Sequence, residues 1–452
     1  MAVLAAAALA GVLVGVCARS TSGIPAAPAA PAGPASASHP AALSPPPGAG
    51  RGCPAAPLAF SAPAGSLTGI QFVSAARGWA VGQDVILATA DGGRHWTVQR
   101  TGQLGLTSVD FISSRVGWAA GPGTLLATTD GGAHWAALPE PCPPVSSVHF
   151  ISAEAGFAVA GGNLGSLAPN IPQLGGVVLA TSDGGRRWQR LPAPADAQTV
   201  CFSGPRDGWL GAGGRLYRSS DGGRSWAQVT AGAESSSAAP PGSLVAGSAL
   251  MIVQCAGQGS AWALDVPPGA SMDKEPHVGY HADPAGAVPV FAEPYFTYPG
   301  LRVLADSPGA YAGPFSAISP SAAAFIDWDP GSSPQIAAPW DLVTGSGAVL
   351  TPEGSVGGLT DPVAASFISP RLGWVAGSVT SDDGYRQRWR IVFTGDGGRT
   401  WQIQYASPGS MPVQARSGLA GSHRQANEPG DCCLPEWGRS SRAGSTPAAM
   451  RN

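Results

Sequence analysis

Short apolar runs separated by polar turns repeat along this chain with a spacing near forty residues. One unit reads Val109-Asp-Phe-Ile-Ser-Ser-Arg-Val-Gly-Trp-Ala-Ala-Gly121, followed by Thr124-Leu-Leu-Ala-Thr-Thr-Asp-Gly-Gly-Ala-His-Trp-Ala-Ala-Leu138. Such brief runs, bounded by Gly, Ser and Asp, are strand signals. The unit predicts an inner strand over Ser108–Ser113, a second around Trp118, a third over Leu125–Thr128 and an outer one over Trp135–Leu138. An Asp-Gly-Gly turn flanked by apolar runs predicts a hairpin joining the last two.

The turn phrase, Thr/Ser-x-Asp-Gly-Gly-x-x-Trp, occurs five times. Its aspartate, second glycine and tryptophan are Asp91, Gly93 and Trp96; Asp130, Gly132 and Trp135; Asp183, Gly185 and Trp188; Asp221, Gly223 and Trp226; and Asp396, Gly398 and Trp401. Aspartate accepts amides of its own turn, and glycine tolerates the positive φ such turns require. The tryptophan covers the hairpin, and the Ser or Thr two residues before the aspartate adds a hydroxyl to the same network. These residues read as structural, and the sequence assigns no catalytic residue, metal ligand or cofactor site.

A second phrase, Gly-Trp-Ala-x-Gly or a variant, precedes most copies. Its aromatic position falls at Trp79, Trp118, Phe157, Trp209, Trp262, Phe325 and Trp374, spacings of 39, 39, 52, 53, 63 and 49 residues. The expected fold is all-β, a β-propeller of four-stranded blades, seven by this count with six or eight left open. The fifth and sixth units lack the Asp-Gly-Gly phrase.

The phrase resembles the Asp-box, or BNR repeat, of sialidases, other glycosidases, sortilin-type receptors and the photosystem II stability/assembly factor family. Members of the last family also join the box to a strand ending in Gly-Trp-Ala-x-Gly. The resemblance covers roughly residues 65–406. It implies the fold strongly and the function weakly, because one scaffold hosts enzymes, receptors and assembly factors.

Composition fits many short strands: 64 Gly and 44 Pro in 452 residues, with only 12% charged. The formal net charge is −3 and nothing resembles the basic stripe of a nucleic-acid binder. Residues 1–18 are small and apolar and read as a signal peptide or membrane anchor, 19–64 as an Ala/Pro-rich spacer without fixed structure, 65–406 as the propeller and 407–452 as a tail without repeat features. Cleavage after Ala18, a retained single span and lipidation at Cys17 all remain open, so any membrane association is expected only through that segment. An extracytoplasmic location follows, secreted or tethered. Seven cysteines fit an oxidising compartment. Cys201 and Cys255 fall on successive inner strands, so a bridge with Cα atoms about 4.4–6.8 Å apart is expected; Cys53 could pair with Cys142, and free buried thiols are the alternative.

Sialidases resemble one another in an Arg-Ile-Pro phrase, which this chain lacks, and propeller glycosidases need two facing carboxylates. The loose acids are Asp110, Glu154, Asp207, Asp265, Glu293, Asp327, Asp329 and Asp361. His277 and His281 have the spacing of a helical metal pair, but Pro276, Gly279 and Pro284 argue against a helix. The remaining reading is a binding scaffold for a protein or cell-envelope ligand, with a glycan-binding or glycoside-hydrolysing propeller as the alternative. Its expected contact surface is an aromatic-rich insertion over Val266–Gly300, with Tyr280, Tyr295, Phe296 and Tyr298.

Overall fold

The repeated apolar runs form strands where expected. In a computed structural model the second unit gives strands Ser108–Phe111, Gly117–Gly121, Thr124–Thr128 and Ala136–Ala137, paired antiparallel in chain order. The structure describes residues 65–161, 176–229, 250–257, 259–266, 278–292, 311–328, 338–344, 354–380, 386–409 and 411–412. The chain divides into Met1–Gly50 and Arg51–Asn452, and every described residue lies in the second unit.

Among the described residues seven antiparallel sheets follow one another, blades one to seven, each meander pairing in chain order. Their inner strands are Leu67–Phe72, Ser108–Phe111, Val145–Phe150, Ala197–Phe202, Leu250–Gly257, Tyr311–Ser319 and Asp361–Phe367. Each inner strand packs against the preceding blade, and the first packs against the seventh, so the ring closes as a β-propeller. The seventh blade gains a short strand, Met411–Pro412, paired with Arg386–Gln387, so pairing continues past residue 406. The insertion expected over 266–300 carries strands Val278–Asp283 and Gly286–Ala292, the outer half of blade five. The described residues include no helix long and apolar enough to cross a membrane.

Aromatic rings join the blades. The Trp of three Gly-Trp phrases stacks on a Phe at the end of the next inner strand: Trp79 on Phe111 and Trp118 on Phe150, both with centroids 3.5 Å apart, and Trp374 on Phe72 at 3.6 Å across the closure. Phe157 takes the same place against Phe202 at 3.5 Å. The box Trp of the receiving blade meets that Phe edge-on, as Trp135 does Phe111 at 5.8 Å and Trp96 does Phe72 at 5.9 Å. Offset and edge-to-face rings each add about 0.5–1.5 kcal/mol beyond burial. The Phe lies six residues before the Gly of Gly-Trp, and a Cβ on Gly117 would overlap the Phe111 ring. Small size, and not conformational freedom, fixes glycine there.

Candidate functional site

The box is built around its hydroxyl. In blade two, Thr128 Oγ1 accepts the Gly132 amide at 2.9 Å and donates to Asp130 Oδ1 at 2.9 Å. Gly131 and Gly132 sit at φ of 77° and 89°, which glycine alone adopts cheaply. Asp130 Oδ1 also accepts the His134 amide at 2.9 Å, and its Oδ2 lies 2.7 Å from His134 Nδ1. The other four boxes repeat the amide-to-hydroxyl bond: Gly93 to Thr89, Gly185 to Thr181, Gly223 to Ser219 and Gly398 to Thr394, at 2.7–3.0 Å. The partner of Oδ2 varies, with His95 in the first box, Ser225 in the fourth and Thr400 in the fifth.

These donors hold the carboxylates ionised. The His95 amide, then its ring, brings Asp91 from 3.8 to about 2, and the Ser225 and Thr400 hydroxyls with their amides bring Asp221 and Asp396 to about 2. Asp130 is lowered still further by the His134 amide and ring, and Asp183 is lowered chiefly by the Arg187 amide. Acids this strong are poor proton donors near neutral pH.

The box also receives its neighbour. Trp79 Nε1 donates to the Gly131 carbonyl at 3.1 Å, Trp118 to Gly184 at 3.0 Å and Trp374 to Gly92 at 3.2 Å. Where blades five and six lack a box, Trp209 donates to Gly259 at 3.0 Å and Trp262 to Ser319 at 2.8 Å. The middle glycine of the box is therefore a docking point between blades, a role that sequence reasoning confined to one hairpin missed. The recurring Phe six residues before Gly-Trp was the available signal.

The inner strands carry a second set of links. The side chain just before the terminal Phe, or one near the same place in blades five and six, reaches the backbone of the next blade: Gln71 accepts the Phe111 amide at 2.5 Å, Asp110 accepts that of Phe150, and His149 Nε2 lies 2.8 Å from the Phe202 carbonyl. Gln254 accepts the Ala317 amide at 2.9 Å, Ser316 that of Phe367 at 2.9 Å and Ser366 that of Phe72 at 2.9 Å. Between blades four and five the link is a disulfide, Cys201–Cys255, with Cα atoms 5.6 Å apart. Cys142 is disulfide-bonded as well, and Cys53 lies outside the described residues. Asp110 is thus a structural acceptor; desolvation pushes its carboxyl up against the opposing pull of His149 and the Phe150 amide.

The other loose acids are engaged or outside the described residues. Glu154 accepts from Ser152, Asp207 pairs with Arg218 at 3.2 Å, and Asp361 accepts from Ser378 and Gln387. Asp265 is fully buried, Asp327 lies within the blade-six strand Ala322–Trp328, and Glu293 and Asp329 lie outside the described residues. His277 is outside it too, while His281 lies on a strand opposite Trp262. Among the described residues no group of His, Cys, Asp and Glu is placed to hold a metal ion.

The expected aromatic surface needs one correction. Tyr280 is 1% exposed and packs with Cys201, Trp209 and Met251 in the core between blades four and five, because the segment forms a strand and not a surface loop. Tyr295, Phe296 and Tyr298 lie outside the described residues.

What the described surface does offer is a charged face. The box turn and the turn between the first two strands meet at one end of each boxed blade, as the Gly131 amide bonding the Arg115 carbonyl at 2.8 Å shows. Exposed arginines crowd that end: Arg77 and Arg94 in blade one, Arg115 in two, Arg186 and Arg187 in three, Arg206 and Arg224 in four, Arg371 and Arg399 in seven. Between them stand the five box carboxylates, Glu154 and Asp207. Both signs are interspersed, which suits a protein surface better than a nucleic-acid backbone.

Residues 61–160, ending with the second strand of blade three, match the family model described as photosynthesis system II assembly factor YCF48. No curated protein matches the chain. Among solved structures, "YCF48 bound to D1 peptide" is 18% identical, covering 66% of this chain and 82% of that one at a TM-score of 0.43. YCF48 from Cyanidioschyzon merolae is 16% identical, covering 66% and 84% at 0.43. An ancestral GH74 enzyme is 14% identical, covering 78% and 48% at 0.49. The chain is a BNR-repeat propeller that resembles the photosystem II assembly factors.

Proposed function

We propose that this chain is an exported, non-catalytic propeller that holds a protein partner on its box-side face, as an assembly or stability factor does. The observation that carries this reading is the array of exposed arginines on the box-side turns of five blades. Each lies in a short turn between paired strands, so recognition costs little ordering of the main chain. The box carboxylates beside them are bonded within their own turns, and Arg186 and Arg224 each donate to the carbonyl of their own box aspartate, so recognition rests chiefly on the other arginines of that face. The family-model match over the first blades supports an assembly role, and disulfide-bonded Cys142, Cys201 and Cys255 support an extracytoplasmic site of action.

The test is affinity capture from envelope extracts with charge reversals. Arg77→Glu with Arg115→Glu should abolish recovery of the partner, while Arg215→Glu, exposed at the opposite end of blade four, should not. Equal capture by both variants would reject the box-side face.

A further inference from the structure

The junction between blades four and five departs at one position from the five junctions that lead into boxed blades. Five blades carry Phe six residues before the Gly of their Gly-Trp phrase: Phe72, Phe111, Phe150, Phe202 and Phe367, each against its own glycine. In blade five that position is Cys255, and the residue six further on is Ala261. Cysteine leaves room for the alanine Cβ that a Phe ring would overlap. Trp209 of blade four accordingly has no Phe to stack on and packs in a cluster with Cys201, Met251 and Val253. Blade five also lacks a box, so the Trp209 indole bonds a plain hairpin carbonyl at Gly259. Stack and box are both missing where the disulfide stands.

We propose that Cys201–Cys255 is a redox-sensitive lock on the ring, whose reduction loosens the junction between blades four and five while the other junctions stay shut. A dithiol reductant would attack Cys255, which is only partly buried, whereas Cys201 is 4% exposed. The S–S bond breaks, Cys201 leaves as a thiolate and takes up a proton. The reductant's second thiol then displaces Cys255, which is protonated in turn. Two electrons and two protons end on the protein, and the reductant departs as its own disulfide. What then holds the junction, beside the Trp209 packing and its bond to Gly259, is a set of neutral bonds: the Met251 amide to Gln198 Oε1 at 2.8 Å, the Val253 amide to Thr199 Oγ1 at 2.8 Å and the Thr199 hydroxyl to the Met251 carbonyl at 3.2 Å.

Hydrogen exchange on the full chain, with and without dithiothreitol, tests the lock amide by amide. Reduction should speed exchange of the Met251 and Val253 amides by at least about tenfold, while Phe72 and Phe111, held at other junctions, keep their rates. The Cys201→Ser/Cys255→Ser variant should show the fast pattern under both conditions. The repacked variant Cys255→Phe/Ala261→Gly should hold the slow pattern in both, since it restores the stack. Acceleration of all four amides together, or of none in the wild-type chain, overturns the proposal, and the wild-type comparison stands by itself should the repacked variant not fold.

Discussion

At the residue scale the box turns on its hydroxyl more than on its carboxylate. The sequence suggests that the aspartate satisfies buried amides, yet the amide Asp130 accepts belongs to exposed His134, and the buried one, of Gly132, goes to Thr128. Thr128→Val therefore strands a buried N–H and should lower stability by about 1–3 kcal/mol in chemical denaturation. Asp130→Ala should cost less than Thr128→Val. The carboxylates make their contribution through pH. Their folded pKa values lie below the unfolded ones, so they favour the folded chain above about pH 4 and that contribution is lost as pH falls from 3.8 toward 2. Denaturation midpoints measured down that range should fall steadily, and a midpoint independent of pH there would contradict the assignment.

At the element scale each blade is completed by its neighbours. The inner edge of a propeller strand would present unpaired amides, the usual invitation to aberrant pairing. Gln71, Asp110, Ser316 and Ser366 close those amides from the preceding blade. Outer strands do likewise at the box: Gln99, three residues after Trp96, donates to the Gly131 carbonyl at 2.8 Å and accepts Trp135 Nε1 at 3.2 Å. The equivalent residue in blade two is Leu138, and the Trp188 indole N–H beside it is buried without a partner among the described residues. Leu138→Gln should supply that acceptor and raise the melting temperature, whereas Gly117→Ala should lower stability by about 1–3 kcal/mol by forcing Phe111 from its place. Single hairpins were legible in the sequence because turn chemistry is local, down to the strands around Trp118. The contacts that use Phe111 and Gly131 were not, because they join residues 32 to 52 apart whose pairing only the closed ring defines.

At the scale of the whole molecule, stability depends on the ring closing through every junction, and the junctions are unequal. Blades one, two and seven each send an indole both to stack on a Phe and to bond a box carbonyl of the next blade. Blade three stacks through Phe157, which has no N–H to give the box of blade four. That asymmetry explains why the sequence count of Gly-Trp positions found the blades without finding their order of strength: Phe and Trp fill the same space, and only the hydrogen bond separates them. Phe157→Trp keeps the stack and brings an indole N–H toward the Gly222 carbonyl, the counterpart of Gly131. A neutral bond of this kind adds about 0.5–1.5 kcal/mol. Differential scanning calorimetry of Phe157→Trp should therefore show a higher melting temperature, and Trp118→Phe, the reverse exchange one blade earlier, a lower one. If the two exchanges fail to move stability in opposite directions, the indole bond is not what binds blade to blade, and the stacks alone hold the ring.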